Sequence, residues 1–230
     1  MEHVKKRRSI RRFKSDHLPD EYIQKIIEVA RWAPSGFNSQ PWDFVVIKKE
    51  NLRKKIVDII LNSHAVSAKA REAKAEYNSA LSPLERLAKR TKFNPGTFLN
   101  APVYIILYGD TRARIALPPG LDKGPEEKYL HIFKASLANA FMYMHLAASS
   151  LGLAAQWWTD VAFEPAHSNI KKLLGIPNEL IAFDMIVLGY PDAVPRPKLL
   201  RPLEKIVEEV HDFGKRTKAW TIGQHRREER

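Results

Sequence analysis

The chain of 230 residues contains no cysteine. That absence removes disulfides, thiolate zinc sites, thiolate-bound iron–sulfur clusters and a cysteine nucleophile together. With no oxidative staples, a cytoplasmic address is expected. Glycine-rich nucleotide loops are missing too: neither GxGxxG nor a Walker loop occurs. Met1, Glu2 and a basic run open the chain with no apolar signal core behind them. Ser, His and Asp occur only as scattered residues, so nothing supports a hydrolase triad. No metal ligand set and no internal repeat are found. Acidic residues are scarce, 26 against 38 Lys+Arg, which leaves a formal net charge of +12. A surplus of that size points first to an anionic partner: nucleic acid, a membrane surface or phosphate groups.

The surplus is not spread evenly. Residues 1–14 hold seven basic groups against Glu2, a net of +6, and residues 214–230 hold six against Glu228 and Glu229, a net of +4. A nearly neutral body with two basic ends does not resemble a uniformly basic nucleic-acid binder. Residues 214–230 read as a solvated basic tail, and residues 1–213 as one domain. The first fourteen residues are not a tail, because Ile10 and Phe13 stand among the charges and a helix follows at once.

Hydrophobic residues make up 44% and aromatics 10%, which excludes disorder and calls for a real core. Ile23, Ile26, Ile27 and Ala30 recur at helical spacing after Pro19-Asp20-Glu21, an amphipathic helix to about Trp32. Phe44–Ile47 is a short buried strand. Leu52, Ile56, Ile59 and Ile60 mark a second helix, and the Ala-, Lys- and Glu-rich residues 65–92 are expected to be helical and partly exposed. Asn94-Pro95-Gly96 is a turn, and Pro102–Tyr108 a second strand. Residues 110–128, with Pro118-Pro119-Gly120 and Gly124-Pro125, read as a loop and a candidate lid. From Ala135 to Thr159 there is no Asp, Glu, Lys or Arg. Asn139, His145, Ser149, Ser150 and Gln156 are too polar for a membrane span. A helix over 135–151 buried in the protein or at a subunit interface is expected instead, with His145 as a hydrogen-bonded core residue. Ala154–Trp158 is a third strand, His167–Leu174 a short helix closed by Gly175, and Ile181–Leu188 a fourth strand.

Four segments carry the chemistry. Arg7-Arg8-Ser9-Ile10-Arg11-Arg12-Phe13 offers guanidinium forks and a hydroxyl suited to a terminal phosphate. Pro34-Ser35-Gly36-Phe37-Asn38-Ser39-Gln40-Pro41-Trp42 is dense in small residues and amides, able to press backbone on a flat ring and bond its edge. Gly152–Asp160 passes from a core helix into a strand. Gly189-Tyr190-Pro191, with Pro195-Arg196-Pro197-Lys198 and Arg201-Pro202-Leu203-Glu204, supplies a second basic cluster behind a strand.

In this order the segments RRSIRRF, PSGFNSQPWDFVV, LGIP and GYP…PRPK…RPLE closely resemble the FMN-dependent nitroreductase family, over about residues 5–210. The resemblance implies an α+β fold, with a mixed, mainly antiparallel sheet flanked by helices, in an intertwined homodimer with two FMN at its interface. It implies that Arg7, Arg8 and Ser9 meet the FMN phosphate and ribityl tail, and that Arg11 lies near the pyrimidine edge, where a cation favours reduced flavin. Pro34, Ser35, Gly36 and Asn38 would line the ring from the other subunit. Asn94 would face the ring edge, Trp158, Thr159 and Asp160 would approach N5, and Lys198 and Arg201 would complete the phosphate clamp, Arg196 being the alternative to Arg201. Phe37 and Trp158 are candidates for stacking a substrate.

The sequence departs from the family pattern in three places: Lys198-Leu199-Leu200-Arg201 replaces Lys-x-Arg, Thr97 replaces a lysine, and Thr159-Asp160 replaces Glu-Gly or Gly-Gly. The implied activity is hydride transfer from NADH or NADPH through flavin N5 to a nitroaromatic, quinone or related acceptor, by a ping-pong course. The flavin carries the chemistry and no catalytic side chain is required. Two other readings stay open: reductive dehalogenation or flavin fragmentation with the same cofactor, and a nucleic-acid or anionic-surface module using the basic ends. On the principal reading the partners are a second copy and a small-molecule acceptor, with neither nucleic acid nor membrane.

Overall fold

A computed structural model describes residues 2–75 (backbone alone for 64–75), 99–117 and 126–194, together with 200, 202, 203 and 207. The chain groups into two units, Met1–Pro195 and Arg196–Arg230. Asn94-Pro95-Gly96, the basic cluster at 195–199 and 201, the 213/214 boundary and the basic tail lie outside the described residues.

Within the first unit the helices are α1 (Glu2–Lys6), α2 (Asp20–Arg31), α3 (Glu50–Ala75), α4 (Glu126–Ser150) and α5 (Ala166–Leu174). The strands are β1 (Trp42–Ile47), β2 (Val103–Asp110), β3 (Ala154–Trp158) and β4 (Leu180–Gly189). They form one sheet in the order β1-β2-β4-β3 with every neighbouring pair antiparallel. Among the described residues the parallel component is one isolated bridge, Ser9 to Ala155.

Central strand β2 explains the architecture. Side chains alternate across a strand, yet Val103–Gly109 is buried throughout, because both faces of the sheet are covered. Val103, Ile105 and Leu107 pack with α2 and α4, alongside Ile23, Ile26, Phe133, Leu137 and Phe141. Tyr104, Ile106 and Tyr108 pack with α3 and α5, alongside Ile56, Ile60 and Ile170. The unit is therefore a three-layer sandwich. Each large apolar side chain removed from water contributes roughly 1.5–3 kcal/mol.

The four predicted strands are present: β3 has the predicted bounds, β1 starts two residues earlier, β2 is shifted to Val103–Asp110, and β4 gains one residue at each end. Two expectations are corrected. The predicted second helix and the start of the 65–92 segment are one helix, Glu50–Ala75, since nothing between Ile60 and Ala75 breaks a helix. The predicted loop 110–128 is not a loop throughout. Thr111–Ala116 form 3-10 turns in which Asp110 accepts from the Arg112 N–H, and α4 already begins at Glu126, its first turn acidic as a helix N-terminus favours. Residues 118–125 lie outside the described residues.

Helix α4 is apolar nearly all round in sequence over its second half, but only one stripe is buried. Phe133, Leu137, Phe141, Met144 and Ala148 face the sheet, whereas Ala135, Asn139 and Met142 are exposed on the other side. No helix among the described residues is long and apolar enough to cross a membrane.

Candidate functional site

The N-terminal segment is strapped along the sheet edge. Ser9 bridges Ala155 of edge strand β3, and the Ile10 N–H donates to the Ala155 carbonyl at 3.2 Å. Further on, Phe13 bridges Pro191, the Lys14 N–H donates to the Tyr190 carbonyl, and the Asp192 N–H donates to the Arg12 carbonyl, both at 3.0 Å. The anchor is the Phe13 ring, 2% exposed. It lies so close to Gly189 that a Cβ there would sit 2.8 Å from Pro102 Cδ and 3.3 Å from Phe13 Cδ1. Glycine in Gly189-Tyr190-Pro191 is thus required by close approach. These contacts confirm the sequence expectation that residues 9–14 are not a loose tail.

The strap fixes four arginines, and they are not equivalent. Arg8 turns its Nη1 back on the Lys5 and Arg7 carbonyls at the end of α1. Arg12 pairs with Asp192 at 3.3 Å on the surface. Arg7, half-buried, and Arg11, exposed, have no ion-pair partner among the described residues. Two uncompensated guanidiniums and the exposed Ser9 hydroxyl beside one strand make a surface suited to an anion.

Strand β3 sends its two tryptophans to opposite layers. Trp158 is buried at 4% exposure in the α3/α5 layer, and its indole N–H donates to the Asp160 carboxylate. Its ring has no free face, so the expectation that Trp158 stacks a substrate is corrected: alternation along β3 turns it away from the α4 side. Thr159 is exposed and Asp160 half-buried, opening a short 3-10 turn, Asp160–Ala162.

Trp157 faces α4, and around it lies a group of side chains of which the sequence singled out His145 alone. The Trp157 indole N–H donates to Asp184 Oδ2 at 2.7 Å. Its ring lies 5.6 Å from the His145 ring in a stacked arrangement and 4.6 Å from the Phe141 ring. Burial pushes the Asp184 carboxyl up to about 7, with the Trp157 hydrogen bond opposing and the Asp160 charge adding to the rise. Burial, helped by the charge of Arg7, pulls His145 down to about 3, so its ring is neutral at physiological pH. Neither ring nitrogen of His145 has a hydrogen-bond partner among the described residues. The expected hydrogen-bonded core histidine is thus buried but unsatisfied, because its neighbours on α4 and β3 are aromatic rings. Besides His145, the sequence signal for this group is Asp184, a lone acid in the apolar run IAFDMIVL.

The loop after α2 is held by α4. Ser136 Oγ accepts from the Gly36 N–H at 3.0 Å and donates to the Ile132 carbonyl, and Asn139 Nδ2 donates to the Pro34 carbonyl at 3.0 Å. The Gln40 N–H donates to Ser35 Oγ at 3.0 Å, and Gln40 Nε2 donates to Asn38 Oδ1 at 3.2 Å. Phe37, Asn38 and Gln40 all have positive φ, at 56°, 53° and 44°. Three non-glycine residues in the left-handed region within four positions is local strain of the kind that collects at functional sites. A Cβ on Gly36 would fall 2.1 Å from Ile132 Cγ2, so this backbone lies directly on α4. Phe37 is half-exposed, which leaves its ring free to touch a ligand.

One chain does not bring the loop and the strap together. The loop meets α4 at Ser136 and Asn139, whereas the strap's approach meets it at Ser149, whose Oγ donates to the His3 carbonyl at 3.0 Å. Ser136 and Ser149 are separated by roughly 20 Å of helix rise. Arg7, Arg8, Ser9 and Arg11 thus lie towards the Ser149 end of α4 beside the start of β3, Pro34, Ser35, Gly36 and Asn38 lie towards the other end, and β3 runs from the strap back along α4 until Trp157 meets His145 and Phe141. Asn94, Lys198 and Arg201, with the alternative Arg196, lie outside the described residues.

Comparison with known proteins finds relatives that cover most of the chain. A protein of Methanothermobacter thermautotrophicus, named for NADH dehydrogenase/NAD(P)H nitroreductase activity, is 28% identical over 195 residues, covering 85% of this chain and 78% of the relative. The iodotyrosine deiodinase of Hydra vulgaris is 31% identical over 207 residues, covering 87% of this chain and 69% of the relative. Among solved structures, an oxidized iodotyrosine deiodinase bound to FMN and 3-iodo-L-tyrosine superposes with a TM-score of 0.62 at 25% identity, covering 88% of this chain and 97% of that one. The pattern of the Nitroreductase family matches residues 4–190, through the strap, the strained loop, all four strands and the Gly189-Tyr190 turn, and the chain belongs to that family.

Proposed function

We propose that the chain is an FMN-dependent oxidoreductase that passes a hydride from NADH or NADPH to a nitroaromatic, quinone or related acceptor, working as a homodimer with the cofactor at the subunit interface. The observation that carries this reading is the pair Arg7 and Arg11. Both lack an ion-pair partner among the described residues, and the Ser9–Ala155 bridge fixes them beside the strand that exits through 158–160. FMN carries a phosphate and a flat ring, and two guanidiniums with no ion-pair partner among the described residues, beside the Ser9 hydroxyl, suit its anionic end.

Bound FMN supplies the hydride-accepting and hydride-donating chemistry. The protein's own residues bind and orient. Arg7 and the Ser9 hydroxyl hold the phosphate and ribityl tail, with Arg8 bracing the turn above them. Arg11 places a fixed positive charge at the pyrimidine edge, which favours the reduced state of a flavin. The backbone at Trp158, Thr159 and Asp160 borders the reacting edge. On the same reading Asn94 would face the ring edge, and Lys198 with Arg201 or Arg196 would complete the phosphate clamp; all four lie outside the described residues. Pro34, Ser35, Gly36 and Asn38 close the ring's surroundings from the second copy. The separation along α4 supports that assignment: two α4 helices packed antiparallel through Ala135, Asn139 and Met142 would set the loop of one copy against the strap of the other. Phe37 is then the stacking residue for an acceptor, in place of the buried Trp158. One pocket serving donor and acceptor in turn makes the kinetics ping-pong.

The test is direct. Purified protein, as isolated or after FMN addition and desalting, should be yellow, dimeric by light scattering, and able to reduce a nitroaromatic or a quinone with NADH or NADPH, giving parallel double-reciprocal lines. A protein that retains no flavin refutes the cofactor assignment, and intersecting lines refute the two-stroke course.

A second reading is favoured by the 31% identity to a deiodinase. The same site would then remove halogen from a halogenated phenol reductively. Halide release from 3-iodotyrosine under argon, with dithionite as the reductant, separates the two readings.

A further inference from the structure

Asp184 is the one buried carboxylate among the described residues, 6% exposed. No cation pairs with it there. Its position is made by a break in strand register. On β2, Leu107 faces Asp184 and Tyr108 faces Ala182, so Phe183 is an extra residue, a β-bulge. A bulge re-aims the residues beside it and is over-represented next to active sites. Here Phe183 and Trp157 both pack in the α4 layer, and Asp184 receives the Trp157 indole N–H.

Trp157 is consequently gripped from two directions. Phe141 and His145 of α4 pack on its ring, and Asp184 of β4 accepts from its edge. Trp157 adjoins Trp158, Thr159 and Asp160, the residues assigned above to the reacting edge of the flavin. The ionisable groups around Asp184 are Asp160 beyond the end of β3, and, across Trp157, His145 on α4 with Arg7 acting on it. None of them neutralises a charge on Asp184.

We propose that Asp184 is a positioning residue: by accepting the Trp157 indole N–H it holds residues 157–160 in the conformation that receives the flavin, and gain or loss of its own proton changes that grip. A carboxylate accepts a hydrogen bond more strongly than a carboxylic acid does, whereas burying its charge is costly. The two effects oppose each other, which makes the contact sensitive to pH near neutrality. The link to flavin rests on the proposed function, whereas the grip on Trp157 does not.

The test has two arms. In apoprotein, tryptophan emission is followed from about pH 5 to 9, the window around a carboxyl raised by burial. A transition near neutrality is expected in wild type, lost in Asp184→Asn and kept in the control Leu107→Val, which trims the same layer on the facing strand. In the second arm FMN affinity is read by quenching of flavin fluorescence. Asp184→Asn keeps an amide oxygen for the indole and should bind FMN within about twofold of wild type. Asp184→Leu leaves the N–H unpaired and should bind about tenfold more weakly. Should Asp184→Leu fail to fold by circular dichroism, Trp157→Phe keeps a ring, removes the donor and carries the same expectation.

An emission transition that survives in Asp184→Asn overturns the titrating grip. Wild-type FMN affinity in the folded variant lacking the contact overturns the positioning role. Wild-type protein that binds no FMN, with an emission transition still abolished by Asp184→Asn, refutes the cofactor assignment and supports the grip.

Discussion

Asp184→Asn is expected to change the pH dependence of folding stability in a way that also exposes His145. The folded protein holds the Asp184 carboxyl up to about 7 against an ordinary 3.8. Between those values the unfolded chain gives up the proton while the folded chain keeps it, so this group lowers stability as pH rises, by about 1.4 kcal/mol per pH unit. His145 does the opposite. It is held near 3 in the folded protein against an ordinary 6.5. Below 6.5 the unfolded chain takes up a proton that the folded chain refuses, and stability is lost as pH falls towards 3. From about pH 4 to 6.5 the two slopes cancel in wild type. Asparagine at 184 removes one of them. The stability of the variant relative to wild type should therefore be level below about pH 4, climb to about pH 7, and level off at a total of about 2–4 kcal/mol. His145→Phe, which keeps a ring against Trp157 and Phe141, should give the complementary difference curve, falling from about pH 3 to 6.5. Urea unfolding followed by circular dichroism, at fixed protein concentration and ionic strength, measures both curves. Constant packing changes shift a difference curve without altering its shape. A flat curve for Asp184→Asn between about pH 4.5 and 7.5 would refute the argument that burial without a cation governs this carboxyl.

Other expectations are simpler. Arg7→Met should weaken FMN binding by about 10–100-fold, the value of a charged hydrogen bond, with thermal stability nearly unchanged; flavin fluorescence titration measures it. Arg11→Met should lower the flavin midpoint potential, read by dye equilibration, because a positive charge is lost from the side where reduced flavin is negative. Gly36→Ala should cost about 1–3 kcal/mol through its 2.1 Å approach to Ile132 Cγ2. Pairing it with Ile132→Ala should recover most of the penalty specific to the clash in a double-mutant cycle, whereas simple additivity would show that the loop does not press on α4 there. Gly109→Ala places a methyl 2.3 Å from Phe133 Cζ and 2.6 Å from Leu137 Cδ1, and denaturant unfolding should show a loss of about 1–3 kcal/mol.

Much of the fold was legible because local rules and burial agreed. Apart from Asp184, the runs Val103–Tyr108 and Ile181–Leu188 offer apolar or aromatic residues to both faces, as a sheet covered on both sides favours. Ile23, Ile26 and Ala30 recur at helical spacing because one stripe of α2 meets the sheet and the rest meets water. The strap was legible through Ile10 and Phe13, two apolar residues with no reason to stand among arginines unless that segment packs. Where expectation failed, charge pattern misled. The charged first turns of α4 read as loop, although acids at a helix start are favourable. The surroundings of Trp157 were not legible at all: whether Trp157 or Trp158 faces α4 depends on which layer covers each face, and Asp184 reaches Trp157 only because Phe183 is bulged out of register.

The sequence by itself determined the elements, the apolar faces and the presence of an anion-seeking segment, since these follow from periodicity, composition and the order of short motifs. Only the tertiary structure decided which arginines lack an ion-pair partner among the described residues, that the strained loop and the strap meet one helix far apart along its length, and that a carboxyl and an imidazole are buried beside one indole. Those features depend on contacts between residues far apart in the chain, and a proton's affinity or a guanidinium's freedom is set by what surrounds it.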